Sequence, residues 1–228
     1  LQLSPSMRKQ EMEKLRKGWD LLIDIDCKFL EFSKIAADLL IKALRHHGIV
    51  SVSCKFSGGT GFHIGVPFEA FPEKVHDRET RQWFPEGPRA IAQYLVDKIK
   101  FPLRDALLSQ GIETIMEKTG LKYGEMVADG EFDHFSLIKI DSLLISSRHL
   151  FRMTYSFNEK TGLVSVPVNP DKVLTFPKEI ASWKNVLASK FVVLGREHIV
   201  PNEGKALLVQ AFDHVTQIEK KKADEPRK

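Results

Sequence analysis

The stretch that most limits how this chain folds is Leu21–Cys27, "LLIDIDC", where an apolar run carries aspartate at two alternate positions, Asp24 and Asp26. On a β-strand, residues two apart point the same way, so both carboxylates leave the same side of a strand whose other residues ask to be buried. Two carboxylates ~6 Å apart repel by roughly 3 kcal/mol at an effective dielectric of about 20, a sizeable fraction of a domain's net stability. The strand therefore needs either an edge where water solvates both charges or a divalent cation beside it. Hard oxygen ligands of this kind select magnesium or manganese. The residues alone leave both solutions open.

The rest of the chain supplies enough apolar material for one packed domain around that strand, because 43% of its 228 residues are apolar and the formal net charge is only +4. This composition excludes a disordered chain, and the mild basic excess permits a polyanionic partner without demanding one. No run approaches the ~18 apolar residues of a membrane span and no secretory leader is recognisable, so the expectation is a soluble, intracellular protein. Cys27 and Cys54 lie in apolar runs and read as buried, reduced thiols; two cysteines build neither a disulfide framework nor a four-cysteine zinc site.

Ser4 and Pro5 read as the N-cap and first position of a charged helix that runs to about Trp19. After the aspartate strand, Ile35, Leu39, Leu40 and Ala43 recur at helical spacing until Gly48. The β-branched "IVSVSCKF" and the returning "FHIGVPF" predict two antiparallel strands about the loop "SGGTG". Loop signals from Phe71 to Gly87 lead into a helical region from about Pro88 to Lys118, expected to break near Pro102. "FSLIKID", "HLFRMTYSF" and "LVSVPV" read as strands, and Pro177 to Lys190 and Gly204 to Lys220 as helices. The closing "KKKADEPRK" reads as a solvated, fraying end, with a nucleic-acid contact as the alternative. This order makes an α+β (mixed α/β) fold, one domain over residues 1–228 with its core at about 20–168, a helical extension at about 177–220 and a tail at 221–228.

Two further segments carry chemistry. In "KFSGGTGFHI" the glycines Gly58, Gly59 and Gly61 let backbone amides turn towards an anion, Ser57 adds a hydroxyl, and His63 opens the returning strand. The same loop also serves simply to turn a hairpin, with His63 as a structural residue. In "LIKIDSLLISSRHLFRMTYSFNEKTGLVSVPV" Asp141 ends an apolar strand and is followed by Arg148, Arg152 and Lys160. One carboxylate for metal and three cations for phosphate oxygens is the complement of a triphosphate; a surface meander with ordinary charges is the plainer reading.

Taken together, these motifs resemble the archaeo-eukaryotic primase superfamily, closest to the small catalytic subunit of archaeal and eukaryotic DNA primases. The resemblance rests on "LLIDID", "SGGTGFHI", "LIKID" and the arginine-rich turn and Lys-Thr-Gly segment in "RHLFRMTYSFNEKTGL", in order over about residues 20–168. It implies an RRM-like primase/polymerase core with a mixed or antiparallel sheet and flanking helices. The implied activity is template-dependent nucleotidyl transfer on DNA by a two-metal mechanism. Asp24, Asp26 and Asp141 are then ligands of Mg2+ or Mn2+, and Ser57, Gly58, Gly59, His63, Arg148, Arg152, Asn158 and Lys160 surround the nucleotide. Implied partners are a DNA template and primer, NTP or dNTP, and a large primase subunit, at the nucleoid; no structural zinc is expected.

The chain departs from the family pattern at Gly59 and Thr60, where small primase subunits usually carry two arginines, and at Thr154 and Asn158, where proline and histidine are usual. Its "SGGxGxH" form is similar to the polymerase domain of bacterial end-joining ligases, and the short stretch before the first motif reads as a compact relative or a fragment. A rival expectation is a catalytically weak or inactive primase-like subunit that binds nucleotide or DNA and assembles with a partner. An unrelated metal-dependent phosphohydrolase would use similar carboxylates but has no reason to keep "KTGL".

Overall fold

The computed structural model describes residue 4, residues 6–141, residue 145 and residues 150–224. Pro5 and Arg148, singled out above, and the last four residues lie outside the described residues. In chain order the elements are α1 (Lys9–Lys14), β1 (Leu21–Cys27), α2 (Leu30–His46), β2 (Ser53–Phe56), β3 (Phe62–Val66), a small hairpin of β4 (Lys74–Val75) and β5 (Arg78–Glu79), α3 (Glu86–Leu108) and α4 (Ile112–Thr119). A second hairpin of β6 (Val127–Ala128) and β7 (Glu131–Phe132), then β8 (Ile138–Asp141), β9 (Val166–Val168) and α5 (Lys205–Asp224) complete the set. None of these helices is long and apolar enough to cross a membrane.

The main sheet has the order β8-β1-β3-β2-β9, and each adjacent pair is antiparallel. Alternation divides its two faces. On one face Ile25 lies between Phe62 and Ile140, and Ile64 lies between Ile23 and Cys54, which in turn faces Val168. Helix α2 packs on this face against β1, β3 and β8, burying Phe32, Ala36, Ala37, Leu40, Ile41 and Leu44. Each large side chain so buried contributes about 1.5–3 kcal/mol, which is what holds the sheet to its helices. Helix α3 packs on α2 and α5 on α3, so the layers run sheet, helix pair, terminal helix. The observed class is the expected one, helices with an antiparallel sheet in an α+β core.

Local chemistry explains most boundaries. Helix α2 stops where Gly48 takes φ of +84°, as its glycine suggested. The β2–β3 turn uses Gly58 at φ of +84°, and Gly61 approaches β1 so closely that a Cβ there would collide with the carbonyl oxygen of Ile25. Four expectations shift. The charged N-terminal helix is confined to α1 among the described residues. The central helix runs straight through Pro102 and breaks instead at Gly111, with φ of +85°. Pro102 sits on the exposed side, one turn after the exposed Lys98, so water can bond the carbonyl that proline leaves without a partner. The described part of "HLFRMTYSF" forms an isolated bridge, Phe157 with Val164, rather than a strand. Residues 177–190 hold a short 3-10 turn, Lys178–Ala181, because that segment bonds Val164 through the carbonyl of Ala181 and leaves Trp183 and Leu187 exposed, with no common apolar face to bury.

Replacing Gly61 by alanine forces the β3 entry away from β1. We expect Gly61→Ala to cost about 3 kcal/mol in urea unfolding, at the upper end of overpacking effects, whereas Gly124→Ala, where a Cβ meets open space, stays near wild type.

Candidate active site

The face of the sheet opposite α2 carries the polar residues that the alternation set aside. In register, Asp141 on β8 faces Asp24 on β1, Asp24 faces His63 on β3, and His63 faces Lys55 on β2. Four strands thus contribute one side chain each to a single row: carboxylate, carboxylate, imidazole, ammonium. Asp26, one step along β1 on the same face, lies opposite Lys139. Directly opposed antiparallel residues have Cβ atoms roughly 4.5–5.5 Å apart, so neighbours in such a row are within reach of each other.

The repulsion between the aspartates is relieved by cationic and polar neighbours. His63 Nε2 stands 3.2 Å from Asp24 Oδ1, and Lys139 Nζ 3.2 Å from Asp141 Oδ2. Asp26 is exposed, which solvates its charge, whereas Asp141 is only 8% exposed. Neither an edge strand nor a bound ion alone is the solution. β1 is an interior strand, and among the described residues no three His, Cys, Asp or Glu side chains form a ready metal cage.

Sequence reading missed Lys55. Its side chain is fully buried, its Nζ donates to the carbonyl of Arg152 and lies 4.0 Å from the centre of the Phe151 ring. Burial, then the nearby Arg152 charge, lower its pKa from 10.5 to about 8, with Asp24 acting in the opposite sense. The period of two contained a signal: Lys55 shares a hairpin face with His63. Phe151, whose ring centre is 4.8 Å from that of His63, gave none, because it lies in a stretch that reads as a strand.

The glycine loop is braced from both sides. Ser57 donates its amide to the Gly61 carbonyl (3.0 Å), its hydroxyl accepts from the Gly59 amide (3.2 Å), and the Thr60 hydroxyl donates to the Cys27 carbonyl. Ser33 of α2 donates to the Thr60 carbonyl at 2.6 Å. The Asn158 to Gly162 turn closes over the loop: the Thr161 hydroxyl donates to the Gly58 carbonyl, and a Cβ on Gly58 or Gly59 would meet Asn158 at 3.0 and 3.4 Å. The fold therefore brings Asn158 against Ser57, Gly58 and Gly59. Within that turn the Asn158 side chain accepts from the Lys160 amide at 3.0 Å, and Lys160 itself is exposed. Arg152 reaches the site by its carbonyl, while its guanidinium donates to the Phe157 carbonyl (2.6 Å) and to Glu159 (3.1 Å). Arg148 lies outside the described residues.

Comparison with known families supplies the class. The family model described as DNA primase small subunit matches residues 22–170, more than half of the chain, a span that contains the acid row, the glycine loop and the Asn158 turn. Its members are primase-type nucleotidyltransferases of DNA replication. The chain belongs to the DNA primase small subunit family. That family generally uses divalent metals and typically works with a large subunit and DNA. No curated protein sequence matches the chain as a relative.

Lys55 makes stability depend on pH. The unfolded chain holds the lysine proton up to about pH 10.5 and the folded one releases it near pH 8, so between those values the unfolded state binds more protons and stability rises with pH. We expect wild type to gain stability relative to Lys55→Met between pH 8 and pH 10 in urea unfolding. Parallel curves for the two proteins would show that Lys55 stays charged in the fold.

Proposed function

We propose that this protein joins nucleotides on a DNA template, with the row Asp141, Asp24, His63, Lys55 as its reaction centre. The observation that carries this reading is the register of β8, β1, β3 and β2, which sets two carboxylates beside two cationic side chains next to a glycine loop. The carboxylates fit Mg2+ or Mn2+ by donor chemistry, since all are hard oxygens and two of them face each other across adjacent strands. Asp24 and Asp141, with Asp26 beside them, would hold the metal, which when bound neutralises phosphate charge and favours loss of the hydroxyl proton.

This chain's own residues supply the rest. Lys55, His63, Arg152 and Lys160 face the triphosphate as cations or donors, and Ser57 with the amides of Gly58 and Gly59 forms the cradle. His63 Nδ1 is buried without a hydrogen-bond partner among the described residues, a donor position suited to a phosphate oxygen. Asn158, against the loop, offers an amide where the family pattern has histidine, so it can bond a phosphate or sugar but not carry charge. In the reaction the primer 3′-oxygen bonds to the α-phosphorus as the bond to the leaving pyrophosphate breaks, and the hydroxyl proton passes to water. Catalysis is positioning and charge.

A second reading, a primase-like subunit that binds without turnover, draws on Asn158 and on the present pairing of Asp24 with His63 and Asp141 with Lys139. Primer extension with manganese or magnesium separates the two. We expect product from wild type and background only from Asp24→Ala with Asp26→Ala; no product from wild type supplied with a large subunit favours the second reading. Metal with nucleoside triphosphate at about 100-fold above Kd should raise the Tm of wild type by about 5 °C or more, and leave the double variant unchanged.

A further inference from the structure

An in-line displacement puts the entering oxygen and the leaving pyrophosphate on opposite sides of the α-phosphorus. On this sheet the groups suited to phosphate lie on one side of Asp24: His63 on β3, Lys55 on β2 and the loop that joins those strands. The other side, towards the edge strand β8, holds Asp141 and the facing pair Asp26 and Lys139. The polar face is also covered unevenly. Leu194 crowds Gly65 and bonds Ser53 at one end, Phe151 covers His63 and Lys55 in the middle, and Asp26 and Lys139 are exposed at the other end. Beside Asp26 opens a cleft of about 230 Å3, lined by Phe29, Leu121, Phe135 and Leu137, with Lys28 and Lys139 also in its walls.

We propose that this cleft seats the 3′-terminal nucleoside of the strand being extended. The inference rests on the nucleotidyl-transfer reading and adds to it a subsite on the entering side of Asp24. Its volume suits a single nucleoside. Its walls separate by chemistry: aromatic and aliphatic side chains for a base, ammonium groups for the phosphate that links the preceding nucleotide, and the Asp26 carboxylate beside the hydroxyl. Phe135 is 38% exposed although it is a large ring in a folded chain, so it has a face to offer. Stacking on such a ring accepts any base, which suits a site where the template makes the selection. The same cleft could not serve the triphosphate end, because the Asp26 and Asp141 carboxylates stand between it and Lys55 along the row.

Phe135→Ala removes the ring, and Phe135→Trp keeps a stacking face; both positions are partly exposed, and matched thermal melts check that the variants fold. In primer extension we expect Phe135→Ala to raise KM for primer–template about tenfold, the scale of one lost base stack, with KM for nucleotide within about twofold of wild type and with Phe135→Trp close to wild type. Independently of turnover, 2-aminopurine at the primer 3′ end should lose fluorescence on binding wild type and much less on binding Phe135→Ala, while the same label at the 5′ end is unaffected. An unchanged primer KM with a raised nucleotide KM, or equal quenching at both ends, overturns the subsite. If wild type extends no primer, the nucleotidyl-transfer reading fails, and the 3′ quenching alone then decides for or against the cleft.

Discussion

The pairing of β1 between β8 and β3 is the constraint on which everything else in this protein rests. Because side chains alternate along a strand, one register buries Ile23 and Ile25 against α2 and sends Asp24 and Asp26 to the opposite face; a slip of one residue would exchange them. The apolar face makes that slip prohibitive, and Gly61 adds a steric stop, since only glycine fits against the Ile25 carbonyl. The same register that satisfies the core also sets Asp141, Asp24, His63 and Lys55 side by side. Stability and site are consequences of one alignment.

The charges along that row are graded. From the edge inwards they run from exposed Asp26 and Lys139 through the half-buried Asp24 to His63 and the fully buried Lys55. Carboxylates lie where water or metal can reach them, and the ammonium lies where desolvation weakens its hold on a proton. Phe151 covers the buried end, so a triphosphate that reaches Lys55 has to displace an aromatic ring and regain in phosphate contacts what that contact contributed. Arg152 stands in the same position: its guanidinium is held by Glu159 and the Phe157 carbonyl and becomes a phosphate ligand only by releasing them. Substrate binding and rearrangement of residues 151–159 are therefore coupled.

Much of the fold was legible because it follows from local rules. The period-two runs at β1, β2 and β3, the helical spacing of α2 and its stop at Gly48 all hold. Where local and tertiary demands conflict, the tertiary demand wins. Pro102 does not break α3, because the packing on α2 and α5 outweighs one lost backbone bond on an exposed side. The strand-like "HLFRMTYSF" does not continue the sheet, because its Asn158 to Gly162 turn docks on the glycine loop instead.

By itself the sequence determined which residues share a face and which segments carry acids, glycines and cations, since periodicity and composition are properties of neighbours along the chain. It also carried the family, through motifs whose order survives without coordinates. Only the tertiary structure decided which strands adjoin, and hence that Asp141, more than a hundred residues after Asp24, stands directly opposite it. The same packing brought Lys55 and Phe151 into the site and opened the cleft beside Asp26. Pairing of distant strands depends on the burial of the whole apolar face, a quantity that no short stretch of residues contains.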